Sequence, residues 1–508
     1  MSVDSTINNK KIAKNTVYLY LRMLISLVVT LFTSRVIVNT LGIDDFGIYN
    51  IIGGVIVLFS FVSHSLRTAS QRFLSYELGK KTNNIGKVFN TAFQTQILMA
   101  ISVILLAETI GLYFFHTHLN IPEERVHAAE YVFQFSIITF ILNLFQTPYQ
   151  ALIISYERMS FYALISIFDV FMKLLVVYLL LLADWDKLII YSILMAMVSA
   201  IHLFILAVYS YNFLGLSRFT FNIDWALFKK IFGYAGWSMV SACASLGSHQ
   251  GGNVLLNIYN GVAANAAFGI ANQVNNAIFG FVSNFQAAFN PQIVKSYASG
   301  MHKEMYNLIN RTSLFSYYLL LVIAVPFIVN ADVVLKLWLG TCPEYAAGFC
   351  ILMLLYFLID ALEAPLWMLI GATGKMKVYT IWSASLHILS VPIAWIMLNC
   401  GYSIYWVFVV RVIINFISAV IRPVYVKMLE PDFSIVGYIK YSIIRAMFIT
   451  TIIIVTYYLF YNVIENANPL IVILISLLYT LGLISIIGIN RNDKVAIVRI
   501  VKNKIKSS

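Results

Sequence analysis

Fourteen apolar stretches, each long enough to cross a bilayer, follow one another along this chain of 508 residues. They run over 16–39, 46–66, 88–113, 129–153, 161–183, 188–212, 235–258, 264–290, 312–330, 346–370, 378–399, 403–420, 441–462 and 467–489. A helix rises ~1.5 Å per residue and the hydrocarbon core is ~30 Å thick, so about 20 apolar residues make one crossing. Backbone in lipid must satisfy its own hydrogen bonds, which leaves helices or a closed barrel. The runs 451–460 and 470–479 show no alternation of period two, which excludes the barrel. The longest polar connection, 213–234, is too short to bury a core of its own. The expected fold class is therefore an all-α polytopic membrane protein with 14 transmembrane helices.

Charge orients those helices. The chain is 60% hydrophobic and 11% charged with a net charge of +12. In a soluble protein that balance would point to nucleic acid; in this class it reports topology. Of 34 lysines and arginines, 26 fall in the N-terminus, the even-numbered connections and the C-terminus, among them Lys10, Lys80, Lys229, Lys230, Lys375 and Lys377. Only Arg125, Lys187 and Lys336 fall in odd-numbered connections, while Arg22, Arg35, Lys173, Arg411 and Arg445 lie within spans. The positive-inside rule then places both termini in the cytoplasm, and the expected location is the cytoplasmic (inner) membrane. The first span is too long for a signal h-region and is expected to stay as a helix. The four cysteines show no metal spacing, and Cys342 and Cys350 are expected as free thiols rather than a pair. There is no phosphate-cradling loop and no acidic cluster, so no catalytic residue, metal, cofactor or ATP hydrolysis is expected.

An internal repeat divides the chain. Phe46-Gly47-Ile48-Tyr49-Asn50 matches Phe268-Gly269-Ile270-Ala271-Asn272, and Ser75-Tyr76-Glu77-Leu78-Gly79 matches Ser296-Tyr297-Ala298-Ser299-Gly300. The two offsets agree within one residue, so helices 1–6 and 7–12 read as two copies of a six-helix unit of one orientation. The expected organisation is an N-terminal lobe 1–212, a cytoplasmic linker 213–234, a C-terminal lobe 235–424, and two additional helices with a basic tail over 425–508.

Charged and amide side chains inside a membrane are costly and mark function by default. Tyr18, Arg22, Ser26, Thr30 and Thr33 make one polar stripe on the first helix, and Ser60, His64, Arg67 and Gln71 another on the second. His249, Asn253, Asn257 and Asn260, followed by Asn265, Asn272 and Asn276, make the seventh and eighth helices unusually polar. These amides read either as glue between helices or as a cavity wall for sugar hydroxyls. Arg411 shares a face with Asn415 and Ser418, and reads either as an anion site or as the partner of Asp360 or Glu363 on the tenth helix. Asp360 and Glu363 are three apart, as for a shared proton. Asp169 and Lys173 sit at i,i+4 spacing and most simply pair with each other, with ion coupling as the other reading of Asp169.

Three segments carry a resemblance to a known family: Asn9-Lys10-Lys11-Ile12-Ala13-Lys14-Asn15-Thr16, Leu41-Gly42-Ile43-Asp44-Asp45-Phe46-Gly47-Ile48-Tyr49-Asn50, and Asn290-Pro291-Gln292-Ile293-Val294-Lys295 running on to Gly300. Together they resemble Wzx-type polysaccharide (O-antigen) flippases, of the multidrug/oligosaccharidyl-lipid/polysaccharide exporter superfamily. The resemblance covers essentially the whole chain and implies a MATE-like arrangement of two lobes. It implies movement of an undecaprenyl-diphosphate-linked oligosaccharide between leaflets for O-antigen, capsule or exopolysaccharide synthesis. A polysaccharide polymerase and glycosyltransferases of the pathway would be partners, beside membrane lipids, and nucleic acid would not. Arg22, Arg67 and Arg411 suit a pyrophosphate because guanidinium bonds phosphate bidentately. His249, Asn253, Asn257, Asn272 and Asn276 suit sugars, and Asp360, Glu363 and Asp169 an ion-coupling role. Three other readings compete. A lipid II-type flippase shares the arginine logic. A multidrug cation antiporter would want acid in the first helix, which has none. A membrane-embedded glycan ligase or transferase would want large external loops.

Overall fold

The structure, a computed structural model, describes residues 3–41, 45, 48, 49, 52, 60–81, 84–118, 122–182, 184–215, 223–339, 342–459 and 468–488. It is an all-α polytopic membrane fold, with no strand among the described residues. Helices α1 (Val3–Leu41), α2 (Ser60–Lys80) and α3 (Ile85–Leu106) come first, and α3 continues through a π-turn, Ala107–Gly111, into Leu112–His118. They are followed by α4 (Val126–Ser155), α5 (Met159–Leu181) and α6 (Lys187–Phe213). A helical run Trp225–Ala298 is broken at Gly261, whose φ of 67° and ψ of −162° are essentially confined to glycine. The break yields α7 (225–260) and α8 (262–298). Then come α9 (His302–Val329), a short helix Ala331–Leu339, α10 (Ala346–Thr373), α11 (Lys377–Asn399) and α12 (Trp406–Leu429). Last are α13 (Ile435–Leu459), with a π-turn over Ile439–Ile443, and α14 (Pro469–Leu483), closed by a π-turn over Ile484–Gly488.

Among the described residues each of the fourteen apolar stretches overlaps a helix, the second only over 60–66, and several helices outrun the apolar run that announces them. The α2 helix continues to Lys80, where its polar side chains can reach water, and α12 continues past its apolar run to Leu429. The break at Gly261 falls between the stretches 235–258 and 264–290. Of the repeat, Phe46, Gly47 and Asn50 lie outside the described residues, as do 216–222 of the expected linker and the tail from 489. Ser75 and Ser296 occupy the last turns of α2 and α8, and both are buried. Ser75 donates to Ser155 Oγ at 2.9 Å, tying α2 to α4.

The chain forms two compact units, Asn15–Ala242 and Met1–Lys14 with Cys243–Ser508. In the first, α4 lies against α2, α3 and α6, and Phe89, Phe93, Phe145 and Tyr149 stack between α3 and α4. One end of this unit is tied by Arg125. Its Nε donates to Asp45 Oδ1 at 2.8 Å and its Nη1 to Asp186 Oδ2 at 2.6 Å, while Nη2 also meets Asp45 Oδ2. Asp186 in turn caps α6 through the backbone N–H of Leu188 at 3.0 Å. One guanidinium therefore joins three odd-numbered connections, which is where an odd-loop cation finds enough fixed anion to be held. Where α7 begins, Asp224 accepts from Ala226 N and Leu227 N, both at 3.0 Å, and pairs with Lys87 at 2.7 Å. The Lys87 hydrogen bond, with help from the Leu227 N–H, holds the Asp224 carboxyl below the usual carboxylate range.

In the second unit α9 is the central helix, packed against α10, α13 and α14. Small residues let its neighbours approach. Ser248 and Ser390 share a 2.6 Å hydrogen bond between α7 and α11, and a Cβ on Gly251 would stand 2.7 Å from Val391 Cγ2. A Cβ on Gly348 would meet the Tyr405 ring, 3.0 Å from Cζ.

Two predictions follow from this packing. Gly251→Ala and Gly348→Ala should each cost about 1–3 kcal/mol by overpacking, read as a lower unfolding midpoint of the detergent-purified protein. Unchanged midpoints would show that these helices are not in contact. A depressed folded pKa at Asp224 contributes stability above the ordinary carboxylate value, lost as pH falls through the folded one. Asp224→Asn should therefore lower the midpoint at neutral pH and flatten its acid limb, whereas parallel pH profiles would contradict the Lys87 pairing.

Candidate functional site

In the N-terminal unit, Arg22 of α1 is half-buried with its guanidinium 5.1 Å from the centroid of Tyr162 on α5. The face of an aromatic ring attracts a cation without neutralising it. Elsewhere in the same stripe Thr33 is turned back to its own backbone, bonding Val29 O at 2.7 Å. Arg67 is half-buried in α2, one turn from an exposed His64. Asp169 of α5 is committed twice, to Lys173 at 2.8 Å and to His202 Nδ1 on α6 at 3.3 Å. The i,i+4 pairing expected from sequence is thus present, and a histidine joins it. His202 Nε2 is buried with no hydrogen-bond partner among the described residues.

In the C-terminal unit, the amides of α7 and α8 bond largely to one another across the break at Gly261. Asn265 Nδ2 donates to both the backbone and side-chain oxygens of Asn253, at 2.9 and 2.6 Å. Asn257 Nδ2 donates to Asn265 Oδ1 at 2.6 Å. His249 Nε2 lies 3.0 Å from Asn272 Oδ1, with its ring against Phe268. Asn276 stays exposed, while the adjacent Asn275 is fully buried and bonds Ala271 O at 2.6 Å. These bonds close the α7–α8 hairpin, the gluing role that polar residues take between membrane helices.

The charges of α10 and α12 pair differently from the sequence expectation. Glu363 belongs to Arg422, Nη1 to Oε2 at 3.0 Å, and not to Arg411. Arg422 Nε also donates to Tyr379 Oη on α11 at 2.7 Å. Glu363 is 2% exposed and Arg422 8%, so the pair is sealed inside the unit. The reason is axial level. Arg422 lies three turns beyond Arg411 on α12, about 16 Å along the axis at ~1.5 Å per residue, and α12 runs parallel to α10. Arg422 therefore comes level with Glu363, and Arg411 with Tyr356. The Arg411 guanidinium sits 5.5 Å from the Tyr356 centroid, and Asn415 on the next turn donates to Tyr356 O at 2.9 Å. Arg411 is half-buried and makes no ion pair or hydrogen bond among the described residues. Asp360, a turn before Glu363, makes none either, though the Arg422 charge reaches it. Arg422 and Tyr379 are the residues that sequence reasoning missed. Residues 421–429 read as a cytoplasmic connection there because Arg422, Pro423 and Lys427 end the apolar run. Among the described residues no group of three histidines, cysteines or carboxylates could hold a metal.

Comparison with known proteins agrees with this architecture. The profile of a family described as MatE matches residues 238–396. No curated protein sequence matches. Among solved structures, MATE in the straight conformation is 13% identical over 83% of this chain and 96% of its own, with a TM-score of 0.68. A MOP superfamily transporter from Pyrococcus furiosus, described by the reverse polarity of its binding pocket, is 13% identical over 82% and 95%, at 0.67. An outward-facing multidrug resistance MATE family transporter is 14% identical over 83% and 97%, at 0.66. At such identities the likeness is one of fold, and the fold of this chain is that of MATE transporters.

Breaking a buried ion pair from one side strands a charge, so Arg422→Ala should destabilise by about 3–5 kcal/mol. Arg422→Gln combined with Glu363→Gln should recover most of that loss in unfolding of the purified protein. Arg411→Gln should leave stability unchanged or raise it, because a cation without an anion gains nothing from burial. Equal destabilisation by Arg411→Gln and Arg422→Ala would refute this assignment of partners.

Proposed function

We propose that this protein is a membrane transporter that moves a polyprenyl-diphosphate-linked oligosaccharide from the inner to the outer leaflet of the cytoplasmic membrane, for assembly of a surface polysaccharide. The fold supports transport, and the MatE match points to the exporter superfamily. The observation that carries the choice of cargo is Arg411. It is a half-buried guanidinium over the Tyr356 ring and has no carboxylate partner among the described residues, while Arg422, three turns further on, has taken Glu363. A membrane protein that keeps a cation uncompensated has use for an anion that comes and goes. A diphosphate is such an anion, and the planar guanidinium fits two of its oxygens at once.

The other parts of the reading are assigned accordingly. Within the N-terminal unit, Arg22 and Arg67 are cations of the kind that suits an anionic head. Asn276, exposed on α8, and the amides near it face the sugars. Asp360 and Asp169 are the acids through which an ion could be coupled. Coupling is not required for export: a headgroup of two negative charges leaving a cell that is negative inside gains ~2.3 kcal/mol per charge for each 100 mV crossed. Glu363 neutralised by Arg422 offers little to an organic cation, which weighs against the multidrug reading.

The test is genetic and chemical together. Deletion of the gene should cause a lipid-linked glycan to accumulate, and mass spectrometry of that lipid identifies the cargo and its direction. A peptidoglycan precursor accumulating instead would move the assignment to the lipid II branch. Arg411→Glu should abolish complementation with the protein still in the membrane. Arg411→Lys should retain a rate reduced about 10- to 150-fold, the value of ~1.5–3 kcal/mol for a hydrogen bond to a charged group. Full complementation by Arg411→Glu would remove the anion site from the account.

A further inference from the structure

Where α13 begins, a cavity of about 490 Å³ opens on the C-terminal unit, lined by Gly437, Lys440, Tyr441, Ile444, Arg445 and Phe448. The π-turn Ile439–Ile443 shapes it. In a regular α-helix, positions five apart point about 140° from one another around the axis. Bonding from i to i+5 widens the turn and brings such positions toward one face, and turns of this kind gather at functional sites. Lys440 and Arg445 are five apart and both line the recess. The turn is anchored from behind, since Ser442 is fully buried and donates to Asn310 O on α9 at 3.1 Å. One helical stretch further on, Tyr317 and Thr450 share a 2.7 Å hydrogen bond that holds α13 to α9. Arg445 is set over the Tyr441 ring, 4.6 Å from its centroid.

Polarity is graded along this face. Lys440, Ile444 and Phe448 follow at spacings of four and so stand in one row. Lys440 is exposed at the end of the helix, and Ile444 and Phe448, deeper along it, are 54% and 56% exposed. Among the described residues no acidic side chain lines the cavity. Two cations at the boundary with apolar side chains below them are the complement of an acidic lipid, phosphate above and acyl chain beneath. Basic pockets and clusters at the cytoplasmic face of membrane proteins attract such headgroups. A lysine and an arginine that merely reached for water would need neither a recess nor a π-turn.

We propose that this recess binds an anionic phospholipid of the surrounding bilayer. Its phosphodiester sits between Lys440 Nζ and the Arg445 guanidinium, and an acyl chain runs over Ile444 and Phe448. The lysine and arginine distribution puts the recess on the cytoplasmic side, where the lipid would brace α13 against α9. The proposal depends on the chain lying in a membrane and not on what it carries.

Native mass spectrometry of the full-length protein in detergent tests it, with phosphatidylglycerol, phosphatidylcholine and undecaprenyl diphosphate as probes. Phosphatidylglycerol should form adducts at lower lipid ratio than phosphatidylcholine. Lys440→Ala/Arg445→Ala should raise the ratio required at least about tenfold, since each basic residue near a lipid surface contributes substantially. Lys440→Arg/Arg445→Lys should keep the preference. Lys440→Gln alone, a change at an exposed side chain, should give part of the loss if the double variant does not fold. Equal binding of the two phospholipids, undiminished binding by the variants, or undecaprenyl diphosphate displacing phosphatidylglycerol at equal concentration would each overturn the proposal.

Discussion

A polar group in hydrocarbon has only the protein to bond with, and the arrangement of this chain follows from that. The constraint makes the backbone of the described spans helical. It also sorts the side chains into those whose needs are met inside the fold and those left for something else. Glu363 is charge-paired with Arg422, which also donates to Tyr379. The asparagines around Gly261 meet theirs in one another. Arg125 satisfies two carboxylates where three connections come together. Against that background Arg411 is conspicuous, because the fold placed a carboxylate on the neighbouring helix and gave it to a different arginine.

Much of the fold was legible in the residues, for a physical reason. Lipid removes every option but the helix, so an apolar run of sufficient length is almost a direct statement of structure. Helix ends were less legible, because nothing in lipid stops a helix at the hydrocarbon boundary. That is why spacing alone places Arg422 in a loop although it is the buried partner of Glu363. The stretch 421–429 contains Pro423, yet proline is tolerated inside membrane helices where neighbours satisfy the carbonyl it frees. The site was less legible than the fold for a related reason. A one-dimensional spacing shows that Arg411 and Glu363 are polar and embedded, but their pairing depends on the axial offset between two helices, which no spacing within either helix records. Asp169 shows the opposite case. Its partner Lys173 lies on its own helix, so spacing alone revealed it, whereas His202 on α6 had no such signal.

The irregularities of the helices fall where ordinary helical geometry would not serve. Gly261 takes a backbone conformation other residues avoid, and so lets α8 return close enough to α7 for Asn265 to reach Asn253. The π-turn in α13 brings Lys440 and Arg445 to one recess. Both are local departures that gather side chains which a regular helix would spread around its circumference.

The central claim is that the membrane-embedded arginines serve an anionic, lipid-linked cargo. The most direct measurement is translocation by the purified protein in liposomes, with a fluorescent polyprenyl-diphosphate-linked glycan and an organic cation offered side by side. The glycan should become accessible at the opposite leaflet far faster than in protein-free liposomes, while the cation is not moved. Movement of the cation without the glycan would contradict it.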